Sequence, residues 1–308
     1  MINKQEHILV LGAYGTVGTH LKKLLEYGGY QYLAPTHSEC DLLDYSKILY
    51  YIGWYDIEVV INLAAKKTTI RLNAESPDEI YSDTVQMALN VFRACSERNV
   101  KRVVSVISSC AYPFTADQPL REIDFDKGPP HPSILPHGQA KRSLYYLSKF
   151  YRQRYGLDAV NIVFNNIYGG QSFDKPDQLK VCDALVNKFV CAKRDNLPSV
   201  EVWGSGVALR ELLYYKDAAA AILKVYEDYD DDGLLNVGNG EEISIKELAI
   251  LIKILVGYEG KIVFDTSKPD GQLRKLLSNQ RMKERLGWSP PTTLEDGLME
   301  TIRECQKQ

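Results

Sequence analysis

The 308-residue sequence predicts an α/β protein: a doubly wound parallel sheet with a smaller C-terminal α/β unit. Three observations carry this. The apolar run His7-Ile8-Leu9-Val10-Leu11 ends in Gly12-Ala13-Tyr14-Gly15-Thr16-Val17-Gly18 and enters an amphipathic helix with Leu21, Leu24 and Leu25 on one face. Short apolar strands then alternate with helical patterns as far as Phe164, as chained βαβ units require. After Gly169-Gly170 the pattern changes to shorter strands and helices. The expected division is residues 1–170 for the first unit and 171–308 mainly for the second, with segments near 208–240 returning to the first.

Strand, glycine-rich turn and helix make the first unit a Rossmann-type dinucleotide site. Glycines let the backbone approach a pyrophosphate, and the helix N-terminus offers free N–H groups and a positive dipole end. Gly12, Tyr14, Gly15, Thr16, Val17 and Gly18 are the candidate contacts there. The second strand, Tyr30–Ala34, leads to Pro35-Thr36-His37-Ser38 without the acid that commonly holds the ribose hydroxyls of NAD. NADP(H) is therefore expected, with NAD(H) left open because an arginine for the 2′-phosphate is missing too. Asp41 and Leu42 either close the adenine end, or Asp41 caps the next helix. The third strand, Val59–Ala65, ends in Ala64 and Ala65, small enough to leave room for a cofactor. Lys66-Lys67 reads as a solvated loop pair.

A helix is expected over Tyr81–Arg98 and a fourth strand over Arg102–Ile107, running into Ser108-Ser109-Cys110-Ala111-Tyr112-Pro113. Residues just past a parallel strand's carboxyl end line the ligand crevice. Phe114–Pro136 reads as a loop over that crevice, followed by a helix from about Gln139 to Tyr155, with Tyr145, Tyr146 and Tyr151 assigned to core and interface. Ala159–Phe164 is the fifth strand, and Asn165-Asn166-Ile167-Tyr168-Gly169-Gly170 marks its crevice end. Beyond it come a helix (Leu179–Cys191), strands at Glu201–Gly206 and Leu209–Tyr215, an alanine-rich helix (Asp217–Tyr226) and a solvated turn at Asp230-Asp231-Asp232. Leu234–Gly238 should return to the main sheet, Ser244 should cap a helix over Ile245–Val256, and Lys261–Phe264 is a late strand.

Composition excludes several classes. At 45% hydrophobic, 25% charged and a net charge of -3, with a mean hydropathy of -0.25, the chain lacks a general electrostatic grip on nucleic acid or anionic membrane. No run reaches the roughly 18 apolar residues of a membrane span. Met1-Ile2-Asn3-Lys4 leads into the first strand without a signal-peptide pattern, so a cytoplasmic protein is expected. Cys40, Cys95, Cys110, Cys182, Cys191 and Cys305 show no CxxC spacing, which fits reduced thiols and no metal site.

Several runs are more specific: Ser108–Pro113, Asn166-Ile167-Tyr168-Gly169, Val202-Trp203-Gly204-Ser205-Gly206 with Arg210-Glu211, Asn236-Val237-Gly238, and Val263–Gly271 with Arg274-Lys275-Leu276-Leu277. In these the chain resembles the extended short-chain dehydrogenase/reductases that act on nucleotide sugars, and more narrowly the GDP-L-fucose synthase family. That resemblance implies NADPH-dependent C4 reduction of a GDP-linked 4-keto-6-deoxy sugar, coupled to C3 and C5 epimerisation, with a heptose or another unusual sugar left open. It implies polysaccharide biosynthesis and a homodimer formed through the helices near Tyr81–Arg98 and Lys141–Tyr155. By position it implies Ser108 on the C4 carbonyl oxygen, Lys141 on the nicotinamide ribose, Cys110 as one epimerisation acid/base, Asn165 in the cofactor cleft and Asn166 in the sugar cleft. Lys188, Trp203, Arg210 and Asp270 would line the nucleotide diphosphate, Trp203 as a stacking face and Arg210 and Lys188 as cations.

Four positions depart from the family pattern. The catalytic tyrosine falls on His137, the second epimerisation histidine on Lys180, and the two arginines for the NADP phosphate on Tyr14 and His37. A neutral imidazole is a poor acid, and Lys141 should push His137 below its reference pKa of about 6.5. Lys180 could be the cation beside Cys110 and the returning acid, or could meet only diphosphate or solvent. Two alternatives stay open at this point: an epimerase without reductase activity, and a nucleotide-sugar-binding protein that no longer catalyses.

Overall fold

The computed structural model describes residues 5–66, 68–231 and 233–308. Met1–Lys4, Lys67 and Asp232 lie outside the described residues, and with them the expectations placed on those positions. The strands in chain order are β1 (Ile8–Leu11), β2 (Tyr32–Leu33), β3 (Val59–Asn62), β4 (Arg102–Ser108), β5 (Asp158–Phe164), β6 (Asn166–Tyr168), β7 (Ser199–Trp203), β8 (Leu209–Arg210), β9 (Leu212–Tyr214), β10 (Gly233–Val237), β11 (Ile243–Ser244) and β12 (Lys261–Asp265). The helices are α1 (Thr16–Gly28), α2 (Tyr45–Trp54), α3 (Ile70–Glu75), α4 (Pro77–Glu97), α5 (Leu135–Tyr155), α6 (Val181–Arg194), α7 (Tyr215–Asp228), α8 (Ile245–Val256), α9 (Gln280–Leu286) and α10 (Leu294–Gln306).

Six parallel strands form the main sheet in the order β10-β5-β4-β3-β1-β2. The chain leaves β1 toward β2, then crosses back to β3. The order therefore reverses between β1 and β3, where such sheets open a crevice at the strands' carboxyl ends. Side-chain alternation explains why both faces are covered. Ile8, Val10, Val59, Ile61 and Val104 pack against Leu21 and Leu25 of α1 and Ile222 and Val225 of α7. Leu9, Leu11, Val60 and Val103 pack on the opposite face against Ile48 and Ile52 of α2 and Val91 and Phe92 of α4. A separate core joins α6, α8 and α10 to β7, β9 and β12 through Val186, Phe189, Val202, Leu212, Leu248, Ile252 and Leu298.

Several expected boundaries shift, each for a local reason. α5 starts at Leu135, one turn earlier than expected, because Pro136 suits a first helical turn; His137 and Lys141 thus sit one turn apart inside the helix. The run 209–215 is broken into β8 and β9, which pair in different sheets, with buried Glu211 between them. Asp44, not Asp41, caps α2 by accepting from the Ser46 and Lys47 amides; the Asp41 carboxylate instead accepts from Leu43 N at 3.0 Å. Lys66 is ion-paired to Glu79 and Asp83. Asp231 is ion-paired to Arg281 and Arg285, so Lys66 and Asp231 are not simply solvated. Leu234–Val237 does join the main sheet beside β5, and Ser244 closes a capping box with Glu247 at the start of α8. Among the described residues no helix is long and apolar enough to cross a membrane.

Candidate functional site

The glycine turn lies where the sheet order reverses. Gly12 has φ 77°, and a Cβ on it would stand 2.7 Å from the Ala64 amide nitrogen, so the β1 turn and the end of β3 touch only because Gly12 is bare. A Cβ on Gly18 would stand 2.6 Å from the Gly12 carbonyl oxygen, which fixes α1 tightly on the turn. Gly15 is the α1 N-cap, no side chain caps it, and the first turn, with Thr16 and Val17, holds no acid. The amides at this end are thus directed at the crevice with their dipole uncompensated. Around the rim, Tyr14 is exposed with the Lys22 ammonium 3.8 Å from its ring centroid. His37 is exposed 3.9 Å from Asp41. Leu42, Ala64 and Lys141 line one small cavity beside Asn62 and Thr84; Ala65 follows at the exposed lip of β3.

β4 and β5 run in register, Ser108 beside Phe164, so the residues just beyond them meet. Ser109 donates to Asn165 Oδ1 at 3.0 Å, and Asn165 donates to Glu211 Oε2 at 3.0 Å and to the Lys275 carbonyl at 2.7 Å. Asn166 donates to Asn165 Oδ1 and to the Glu211 carbonyl. Fully buried Glu211 also accepts from Leu277 N at 3.0 Å and Gly240 N at 2.9 Å. A Cβ on Gly238 would collide with the Glu211 carboxylate at 2.1 Å. Asn165 and Asn166 therefore form a polar frame that locks the 275–278 segment to the carboxyl edge of the sheet.

Ser108 caps the short turn Ser109–Ala111 by accepting from Cys110 N at 3.2 Å. The first turn of α5 packs directly on this turn, since a Cβ on Gly138 would stand 2.6 Å from the Cys110 carbonyl oxygen. Arg142 ties the same helix down by donating to the Ala111 and Gly128 carbonyls. His137, with 9% of its surface exposed, donates its backbone N–H to Asn73 Oδ1 at 3.2 Å, while its ring Nδ1 is buried without a hydrogen-bond partner. Burial lowers the imidazole to about 3, helped by the Lys141, Lys180 and Lys275 charges. Lys141 is 4% exposed and donates to the Val106 carbonyl at 3.2 Å; burial lowers its ammonium to about 8.

Lys275 is the residue sequence reasoning left without a role. Its Nζ lies 3.2 Å from Cys110 Sγ. Burial by itself would raise the thiol, but Lys275, the Ser108 hydroxyl and Lys180 outweigh it and hold the thiol below its ordinary value. Lys180, at the N-cap of α6, contributes charge from further away. The available signal was only that this lysine lies in a run already singled out, Arg274-Lys275-Leu276-Leu277.

The second group of candidates gathers around β7 and β8. Trp203 is 63% exposed; the Lys188 and Lys268 ammonium groups lie 5.4 and 5.7 Å from its ring. Lys188 also donates to the Glu201 carbonyl at 2.9 Å. The Asp270 carboxylate accepts from Ser205 N at 2.7 Å and Ser205 Oγ at 2.8 Å, and Gly204 must be bare for it to fit. Arg210 spans toward it, donating to the Gln272 carbonyl at 2.7 Å and the Asp270 carbonyl at 3.3 Å. Asp270 is thus a clasp between two loops, with the cations and indole face displayed around it.

A parallel sheet with a glycine turn at its reversal point, and a serine, a lysine and a charged-paired cysteine at the neighbouring strand ends, defines a dinucleotide-type fold with an acid–base site beside it. The sequence matches the NAD dependent epimerase/dehydratase family over residues 8–238. The chain belongs to that family. It is 34% identical over 309 residues to GDP-L-fucose synthase of Escherichia coli, covering 97% of this chain and 96% of that protein. It is also 34% identical over 302 residues to GDP-L-fucose synthase 1 of Arabidopsis thaliana, covering 98% and 93%. Among solved structures, a GDP-mannoheptose C4 reductase from Campylobacter jejuni with NADP bound superposes with a TM-score of 0.89 at 26% identity, over 100% of both chains.

Proposed function

We propose that this chain reduces the C4 carbonyl of a GDP-linked 4-keto-6-deoxy sugar with NADP(H), coupled to epimerisation at C3 and C5. The observation that carries this reading is the meeting of Ser108, Cys110, His137 and Lys141 at the carboxyl edge of the sheet, in a chain similar over nearly its whole length to GDP-L-fucose synthases. The cradle fits a dinucleotide: Gly12, Gly15, Gly18 and the uncapped α1 amides would hold a pyrophosphate, Leu42 and Ala64 would flank the adenosine, and Lys141 would hold the nicotinamide ribose. When bound, NADPH supplies a hydride. Lys22 on Tyr14 gives the rim a cation that favours the 2′-phosphate form.

Ser108 would donate to the C4 oxygen, and the Cys110 thiolate would take the proton from C3 or C5, leaving an enolate with its charge on that oxygen. Lys180, whose charge acts on both Cys110 and His137, would return a proton on the other side. His137 is uncharged at neutral pH and offers a ring N–H hydrogen bond; Lys141, at about 8, holds the more mobile proton. Lys188, Trp203 and Arg210 would seat the nucleotide diphosphate, with Asp270 clasping the loops beside them. In this reading residues 1–170 with 208–240 hold the cofactor and 171–308 mainly the sugar nucleotide. The protein would act as a cytoplasmic homodimer in polysaccharide biosynthesis.

The uncharged His137 favours one second reading, an epimerase that does not reduce. Incubation with GDP-4-keto-6-deoxymannose and NADPH in D2O separates them. NADPH consumption with a new C4 carbinol is expected. Deuterium at C3 and C5 without NADPH consumption selects the epimerase, and neither signal defeats both readings.

A further inference from the structure

We propose that Lys275 is a positioning residue that holds the Cys110 sulfur as a thiolate, and that the 275–278 segment is the device that places it. The proposal rests on the epimerisation reading above for what the thiolate does, but not for its existence. The Lys275 ammonium is 3.2 Å from the sulfur, a contact in which the charged donor stabilises the anion over the thiol.

Both partners are held by backbone rather than by chance side-chain placement. The Lys275 carbonyl accepts from Asn165 at 2.7 Å, Leu276 N donates to Gln118 Oε1 at 2.9 Å, and Leu277 N donates to Glu211. Leu120 N donates to the Leu276 carbonyl, and Ser278 N donates to the Leu120 carbonyl, both at 2.8 Å. Leu277 is buried, so the lysine stem starts from a fixed anchor. Opposite it, Cys110 is fixed by the Ser108 cap and by the α5 turn resting on its carbonyl. The charged groups that act on the thiol are Lys275 from this segment and Lys180 from the start of α6; the Ser108 hydroxyl adds a neutral donor.

The test is the rate of iodoacetamide alkylation at Cys110 against pH in the full chain. It is read by mass spectrometry of the Cys110 peptide, with Cys110→Ala as the site control. Wild type should reach its half-maximal rate below the free-thiol value of about 8.5. Lys275→Gln should raise that midpoint by a unit or more, making alkylation about tenfold slower at pH 7, and Lys275→Arg should restore it. Lys180→Gln should shift it less than Lys275→Gln does. An unchanged midpoint in Lys275→Gln, or a larger shift in Lys180→Gln, overturns the assignment. If Lys275→Gln does not fold, as judged by its melting curve, a wild-type midpoint at or above that of a free thiol still overturns it. Deuterium exchange at C3 and C5 supplies the functional arm: Lys275→Gln should be slow at pH 7 and recover toward wild type at pH 9, which a purely structural defect would not do. If no form exchanges at any pH, the epimerisation reading fails, and the alkylation midpoint still decides the lysine.

Discussion

His137 carries an uncharged imidazole in a pocket ringed by cations. The cause is burial first and the Lys141, Lys180 and Lys275 charges second, and together they set its value at about 3. A proton donor that titrated near 6.5 would lose activity from pH 6 upward; here the group that titrates near neutrality is Lys141, at about 8. The kcat/KM for C4 reduction should therefore hold from pH 6 to about 7.5 and fall above about 8. A fall centred near 6.5 would show an imidazolium donor instead. His137→Tyr, which supplies a longer donor with a phenolic proton, should raise C4 reduction by about tenfold or more, within the range general acids contribute. No gain would mean the histidine is not a defect in the proton path. The same burial has a stability cost with a definite sign. The unfolded imidazole binds a proton below about 6.5 and the folded one does not until about 3, so stability is intact above 6.5 and is lost as pH falls from there. Relative to His137→Gln, wild type should lose about 1.4 kcal/mol per pH unit between pH 6 and 4 in urea titrations.

At the scale of elements, the break between β8 and β9 matters most. Glu211 interrupts a run that otherwise reads as one strand, and its carboxylate gathers Asn165, Leu277 N and Gly240 N. In Glu211→Gln an amide NH2 must face at least one of these donors. Stability should fall by about 2–3 kcal/mol, and amides 275–278 should lose protection in hydrogen exchange; full protection there would show that Asn165, Gln118 and Leu120 hold the segment without Glu211. This is also where the sequence stopped being legible. β1, its glycine turn and α1 were readable because an unbroken apolar run, bare glycines and a helical leucine face are local signals. The return of Leu234–Val237 to the sheet was readable because that segment is an uninterrupted apolar strand. Glu211 was not, because a buried acid is explained only by donors that lie 29 to 66 residues away in the chain. Lys275 was missed for the same reason: its partner is 165 residues distant. Asn73, which satisfies the His137 amide from another helix, gave no sequence signal at all.

At the scale of the whole molecule, Asn165 and Glu211 tie the 275–278 segment to the carboxyl edge of the main sheet. α4 and α5 leave Tyr81, Leu89 and Phe150 exposed on the outside of the sheet. If these helices meet their copies, sedimentation should give about twice the 34.9 kDa chain mass, and Leu89→Asp with Phe150→Asp should give the single chain; a wild-type monomer would defeat the homodimer. Arg210 and Glu211 are neighbours in sequence, yet one reaches toward the Asp270 clasp and the other grips the segment that bears Lys275. The span from the Asp270 clasp to the Cys110 thiol is thereby set by a single buried anchor, as in a ruler with both ends riveted. If the clasp seats the diphosphate as proposed, a donor whose sugar is attached one bond too far away would be measured and rejected by length, before any hydroxyl on it is inspected.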